Sequence, residues 1–141
     1  MNRLRRNCKC YAIVTAVIAL FCIVYTFLGR GVFSASMTFA WAYPCVLGLG
    51  WNFALMFIQR NVRFTGTVGY RYYFNAYNTG VAFLTVSSIL DGIMYIAGTS
   101  SPYIAWMRWF GWIMLGAGLL LFCVLIAQAS QDRAHRVPHR R

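Results

Sequence analysis

Four apolar segments, each about as long as a membrane-spanning helix, dominate the sequence. They cover about residues 11–28, 37–58, 75–97 and 103–128. A bilayer has a hydrocarbon core about 30 Å thick, which an α-helix crosses in about 20 residues. Helices also pair all of their own backbone N–H and C=O groups, as lipid requires, and the sequence lacks the alternating pattern of barrel strands. We therefore predict an all-α membrane protein, a four-helix transmembrane bundle.

The composition excludes an ordinary soluble domain. Apolar residues make up 60% of the chain and charged residues 11%, against about 25% charged residues in soluble proteins. The net charge of +11 would suggest nucleic acid in a soluble protein, but the basic residues lie mainly just outside the apolar segments. That placement indicates membrane topology and contact with anionic lipid headgroups, so we predict no nucleic-acid partner.

The basic residues also predict the orientation, because Lys and Arg in short flanks are retained in the cytoplasm. Residues 1–10 form a basic arm, residues 129–141 form a basic tail, and the connector between the second and third segments is basic, whereas the first connector carries only Arg30. We predict a four-span domain over residues 11–128 with both termini cytoplasmic, in a plasma (bacterial inner) membrane. The predicted headgroup contacts are Arg3, Arg5, Arg6, Lys9, Arg60, Arg63 and Arg71.

An alternative interpretation of the first segment is a cleaved signal peptide. Ser34 and Ser36 present small residues at the spacing that a signal peptidase reads. Cleavage there would leave three spans and an external N-terminus. The apolar stretch is longer than a typical signal core, which favours a retained span.

Two ionisable residues lie within the apolar segments: Asp91 in the third and Arg108 in the fourth. Ionisable side chains within a bilayer are costly, so each needs a partner or water. Gly98 to Pro102 form a turn signal between the two segments. In an antiparallel hairpin about that turn, the two residues lie at nearly the same level. We predict an intramembrane ion pair that is either structural or part of a site that coordinates a solute.

Small residues recur at helical spacing on both of these segments. Gly80 and Ser88 share a face of the third, and Gly111 and Gly118 share a face of the fourth. Small residues let membrane helices approach closely. These faces predict the contact between the last two helices.

Aromatic residues cluster near the outer end of the last two segments. Trp106, Trp109, Trp112 and Tyr95, with Asn52 on the second segment, are the candidates to line a ligand site beside Asp91. An interfacial belt of Trp and Tyr is the commoner role for such residues.

The residues needed for catalysis or metal binding are sparse. His135 and His139 both lie in the polar tail, and the five cysteines contain no pair with redox-motif spacing. Cys8 and Cys10, beside the first segment, are candidates for acylation or weak metal binding. We predict no cofactor and no metal site.

The sequence therefore favours a small multi-pass membrane protein without enzymatic activity. It would act through helix packing, as a subunit or as an accessory or immunity-type factor, in a homo-oligomer or with other membrane subunits. The alternative is a homo-oligomeric transporter or channel for a small solute or ion, with its path near Asp91. A membrane enzyme that uses a lipid-like cofactor is the weakest of the three hypotheses.

Overall fold

The structure, a computed structural model, describes residues 2–28, 34–58 and 68–135. Its helices are α1 (Asn2–Leu28), α2 (Ala35–Thr38), a π-helix (Tyr43–Gly50), α3 (Trp51–Ile58), α4 (Val68–Ile96) and α5 (Pro102–His135). Four stretches are long and apolar enough to cross a membrane: Arg6–Leu28, Ala35–Phe57, Val68–Ile96 and Pro102–Gln131. For the described residues, the prediction of an all-helical chain with four membrane-length segments is confirmed.

The helices extend beyond the predicted apolar segments. The basic arm is helical from Asn2 onward, α4 begins at Val68 rather than near Asn75, and α5 continues to His135. Hydropathy marks only the part of a helix that suits lipid. Once a helix has formed, each added residue gains a backbone hydrogen bond, so polar flanks continue it.

The second span is not one continuous α-helix. A turn at residues 39–41 follows α2, and the π-helix then leads directly into α3. Pro44 lies in the first turn of the π-helix, where it has no N–H to donate. At Gly48, an added Cβ would overlap the ring of Tyr11 on α1. The missing side chain therefore leaves space in which α1 packs against the second span.

The predicted turn between the third and fourth segments is present. Gly98 has a φ of 71°, a left-handed conformation that glycine adopts without strain. The N–H of Thr99 donates to the carbonyl of Met94 at 3.0 Å, which closes the end of α4. Pro102 then begins α5, where its missing N–H costs nothing.

The helices α4 and α5 form a tightly packed antiparallel hairpin. A Cβ on Gly80 would lie 2.6 Å from the backbone nitrogen of Leu115 and 2.9 Å from the carbonyl oxygen of Gly111. A Cβ on Gly118 would lie 2.9 Å from the backbone nitrogen of Tyr77. Such distances are below normal contact, so the two backbones approach closely only because these positions carry no side chain.

Close backbone contacts join α1 with the second span, the second span with α4, and α4 with α5. The spans therefore lie largely in chain order across the molecule, with α1 and α5 at its edges. The core lies on α4, between the second span and α5. Its buried apolar residues are Leu55, Tyr70, Tyr73, Tyr77, Val81, Leu84, Leu115 and Phe122.

We predict that Gly80→Ala destabilises the hairpin. The added methyl group meets backbone atoms of α5 that cannot rotate away, and overpacking of this kind costs about 1–3 kcal/mol. Gly116→Ala is the matched control, because a Cβ at Gly116 on α5 meets nothing within 4 Å. The free energy of unfolding in detergent micelles is the measurement. Equal effects of the two substitutions would show that the close approach at Gly80 does not hold the helices together.

Candidate functional site

A polar cluster centred on Asp91 lies near the turn between α4 and α5. The guanidinium of Arg108 donates from Nη2 to Asp91 Oδ2 at 3.0 Å. The hydroxyl of Ser36 on α2 donates to the same oxygen at 2.6 Å. The structure thus brings together the two charged residues that the sequence singled out, because the antiparallel hairpin places them at one level. It also adds a third group that the sequence did not indicate.

A second hydrogen bond extends the cluster along α2. The hydroxyl of Ser88 on α4 donates to the carbonyl oxygen of Ser36 at 2.6 Å. Since α2 has only four residues, its last carbonyl groups lack partners within the helix. Ser88 satisfies one of them. The cluster therefore ties α2, α4 and α5 together at one end of the molecule.

The Asp91–Arg108 ion pair is half exposed. The side chain of Arg108 is 40% exposed and that of Asp91 is 39% exposed. Arg108 Nε is nevertheless buried and has no hydrogen-bond acceptor in the described part of the chain. Asp91 therefore uses only part of the donor capacity of the guanidinium, which carries five N–H groups.

Arg108 lines a groove of about 410 Å³ beside the ion pair. Ser88 on α4 contributes to the groove between residues of the second span and residues of α5. The complete lining is Ser36, Phe39, Ala42, Tyr43, Val46, Leu47, Ser88, Arg108 and Trp112. The groove is mostly apolar, and its only charged side chain among these residues is Arg108.

The structure does not bring the five residues proposed to line a ligand site into one place. Only Trp112 reaches the groove beside Arg108. Trp106, Trp109 and Tyr95 are 74%, 67% and 63% exposed. Trp106 and Trp109 line a different groove, together with Phe83 on α4. Asn52 is buried in the second span, where its Nδ2 donates to the carbonyl of Gly48 at 2.8 Å. That bond lies within its own span, and the same carbonyl also accepts the backbone N–H of Trp51.

Three of the four residues predicted to pack the helices lie where α4 meets α5. These are Gly80, Gly111 and Gly118, each in close contact with the opposite helix. Ser88 instead bonds to α2. Helical periodicity places Ser88 on the same face of α4 as Gly80, but near Ser88 the helix α4 is in contact with α2.

The predicted headgroup contacts lie partly within the described residues. Arg6, Lys9 and Arg71 are exposed. The side chains of Arg3 and Arg5 and all of Arg60 and Arg63 lie outside the part of the chain that the structure describes. The basic arm and the start of α4 lie at the end of the molecule opposite the Asp91 cluster.

A set of partly buried hydrogen bonds from aromatic side chains joins the first three spans and was not predicted from the sequence. Tyr11 on α1 donates to Asn78 Oδ1 on α4. The indole N–H of Trp51 donates to the hydroxyl of Tyr73. Tyr77 donates to the carbonyl of Leu47 in the π-helix at 2.8 Å. The sequence does not indicate which of these residues face each other, because that depends on how the spans pack.

Among the described residues, no three His, Cys, Asp or Glu side chains lie close enough to hold a metal ion. Cys8 is partly exposed and Cys10 is exposed, and both are free thiols on α1. Of the two histidines in the tail, His135 is the last residue of α5, and His139 lies outside the described residues.

A family model described as "Protein of unknown function (DUF2871)" matches residues 1–129. No curated protein and no solved structure matches the chain.

We predict that Asp91 and Arg108 are energetically coupled. In a double-mutant cycle of Asp91→Asn and Arg108→Gln, each single variant leaves one charged residue without its partner. The loss in free energy of unfolding of the double variant should therefore be smaller than the sum of the two single losses by about 1 kcal/mol. Reversible unfolding in micelles provides the free energies. Arg71→Gln removes an exposed cation on α4 and serves as the control, with an effect within about 0.5 kcal/mol. Additive single effects would rule out a stabilising pair.

Proposed function

Since the chain belongs to the DUF2871 family, whose function is unknown, we propose its role from its own geometry. We infer a small multi-pass membrane protein without enzymatic activity, which acts through helix packing as a subunit or accessory factor of a membrane assembly. The partner is a second copy of the chain or a different membrane subunit.

The packing of α1 carries this proposal. In the most apolar window of α1, only 6% of the residues are buried, against 39% in the corresponding window of α4. Large apolar side chains such as Val17, Leu20 and Phe27 are exposed along α1. Tyr11 anchors the helix through its packing at Gly48 and its hydrogen bond to Asn78. One edge helix is thus fixed to the molecule and presents most of its length outward, as a helix that contacts another chain would.

The positions of the tryptophans argue against a solute path inside a single copy of the chain, so the transporter alternative requires a path between copies. A solute path within one copy needs side chains that line an enclosed space. Trp106 and Trp109 are instead largely exposed, which suits an interfacial belt. Gly80 and Gly111 bring α4 and α5 into backbone contact, so no room remains for a path between these two helices.

We further propose that both termini are cytoplasmic and that the protein resides in a plasma (bacterial inner) membrane. The antiparallel contacts support a common side for the start of α1, the start of α4 and the end of α5. Arg6, Lys9 and Arg71 are exposed at that end. Basic residues favour the cytoplasmic face, and anionic headgroups there would contact them.

Cysteine labelling tests the orientation. In a variant with the five native cysteines replaced, Thr99→Cys lies in the turn after α4 and Ser130→Cys lies near the end of α5, both at exposed positions. A membrane-impermeant maleimide should label Thr99→Cys in intact spheroplasts. It should label Ser130→Cys only after permeabilisation. The reverse pattern would invert the topology and refute the assignment made from the basic residues.

Site-specific photocrosslinking tests the subunit role. A benzoylphenylalanine at Val17, 60% exposed on α1, should yield one discrete protein adduct in native membranes, whose mass distinguishes a second copy from another subunit. The matched control is the same probe at Val86, 45% exposed on α4, which should yield none. Lipid adducts alone at both positions, together with solute flux from a purified single-chain assembly in liposomes, would contradict the proposal.

A further inference from the structure

The groove beside Arg108 is open between the second span and α5 and combines one cation with an apolar lining. Phe39, Val46 and Trp112 form much of its apolar surface, and Arg108 supplies its charge. Val46 and Trp112 are 65% and 48% exposed, so the groove is accessible from outside the protein. A membrane helix surface of this kind faces lipid rather than water.

The lengths of the helices place the groove near the lipid headgroups. The spans in α4 and α5 have 29 and 30 residues, so each is about 45 Å long at about 1.5 Å per residue. That exceeds a hydrocarbon core of about 30 Å by about 15 Å, and the polar flanks at the start of α4 and at the end of α5 account for much of this excess, at the end of the molecule opposite Asp91. Asp91 lies about 8 Å from the end of α4, and Arg108 lies about 9 Å from the start of α5. Both therefore lie within about 10 Å of the edge of the hydrocarbon core, a depth from which the long side chain of Arg108 can extend to the headgroups.

The guanidinium of Arg108 is fixed in position and still has donors to offer. Its Nη2 is bound to Asp91 at 3.0 Å. Its Nε is buried without an acceptor in the described part of the chain. The donors that an outside acceptor can reach are therefore the terminal N–H groups that Asp91 does not use, on a side chain that is 40% exposed. In contrast, the hydroxyls of Ser36 and Ser88, which also line the groove, already donate to protein acceptors. Arg108 is therefore the residue of the cluster that can bind an acceptor from outside.

We propose that this groove binds one glycerophospholipid, with the guanidinium of Arg108 donating to its phosphate and an acyl chain lying along Phe39, Val46 and Trp112. A guanidinium suits phosphate oxygens because its planar set of N–H groups can donate to two of them at once. The proposal adds a site at the end of the molecule opposite the basic arm. It does not depend on the proposed subunit role.

Asp91 determines which lipids the site distinguishes. Its carboxylate offsets much of the charge of Arg108, so the net charge of the lipid headgroup should matter little. The hydrogen bonds to phosphate should matter more. We therefore expect phosphatidylglycerol and phosphatidylcholine to bind similarly, and diacylglycerol, which lacks the phosphate, to bind at least about tenfold more weakly, as expected for the loss of a charge-assisted hydrogen bond.

Native mass spectrometry of the delipidated full-length protein, titrated with each of these lipids, tests the proposal. Val46→Trp should fill the groove while leaving both residues of the ion pair unsubstituted, and should lower phosphatidylglycerol binding at least about tenfold. Val124→Trp is the matched control, since Val124 is 52% exposed on α5 and lies outside the groove. Arg108→Lys keeps the charge but loses the planar set of N–H groups that can donate to two phosphate oxygens at once, and should reduce the preference for phosphatidylglycerol over diacylglycerol. Thermal melting of each variant establishes that it is folded.

Three results would overturn the proposal. Equal phospholipid binding by Val46→Trp and Val124→Trp would exclude this groove as the site. Equal binding of diacylglycerol and phosphatidylglycerol by the unaltered protein would exclude recognition of the phosphate. Displacement of the phospholipid by millimolar inorganic phosphate would assign the site to the free anion instead. None of these results bears on whether α1 contacts a partner chain.

Discussion

The backbone contact between α4 and α5 is the constraint on which the remaining structure depends. Gly80, Gly111 and Gly118 remove side chains where the two helices meet, so the backbones lie in direct contact. Acyl chains are as apolar as the side chains, so an apolar side chain gains little when it exchanges contact with lipid for contact with another helix. Close packing of small residues then becomes a main source of helix association. The hairpin then fixes the register that brings Arg108 to Asp91 and provides the surface on which the second span packs.

Polar groups add specificity to this packing at two levels. Near the turn, Asp91 accepts from α2 and α5 at once, through Ser36 and Arg108. Further along α4, Asn78 accepts from Tyr11 and so fixes α1 to the same helix. Each bond joins groups that would otherwise lack a partner in lipid, where unsatisfied polar groups are costly. The four spans are thus held in one arrangement although their apolar surfaces alone would permit many.

The sequence was sufficient for the features that follow from a single helix or a single hairpin. Segment length and hydropathy predicted four helices, Gly98 and Pro102 predicted the turn, and the spacing of Gly80, Gly111 and Gly118 predicted the contact face. The role of Ser36 could not be predicted in the same way, because it depends on how the second span breaks after α2 and packs on α4. The sequence indicated only that the carboxylate of Asp91, within the membrane, needs hydrogen-bond donors. It did not indicate which helix supplies them.

The break in the second span also explains why the groove beside Arg108 exists. A continuous α-helix would present a regular row of side chains to α5 along its whole length. The turn at residues 39–41 and the π-helix change that row, and Phe39, Ala42 and Tyr43 from this irregular stretch all line the groove. The same irregular segment provides Gly48 as the space for Tyr11 on its other side. One local departure from α-helical geometry therefore shapes both the contact with α1 and the surface next to the only described ion pair.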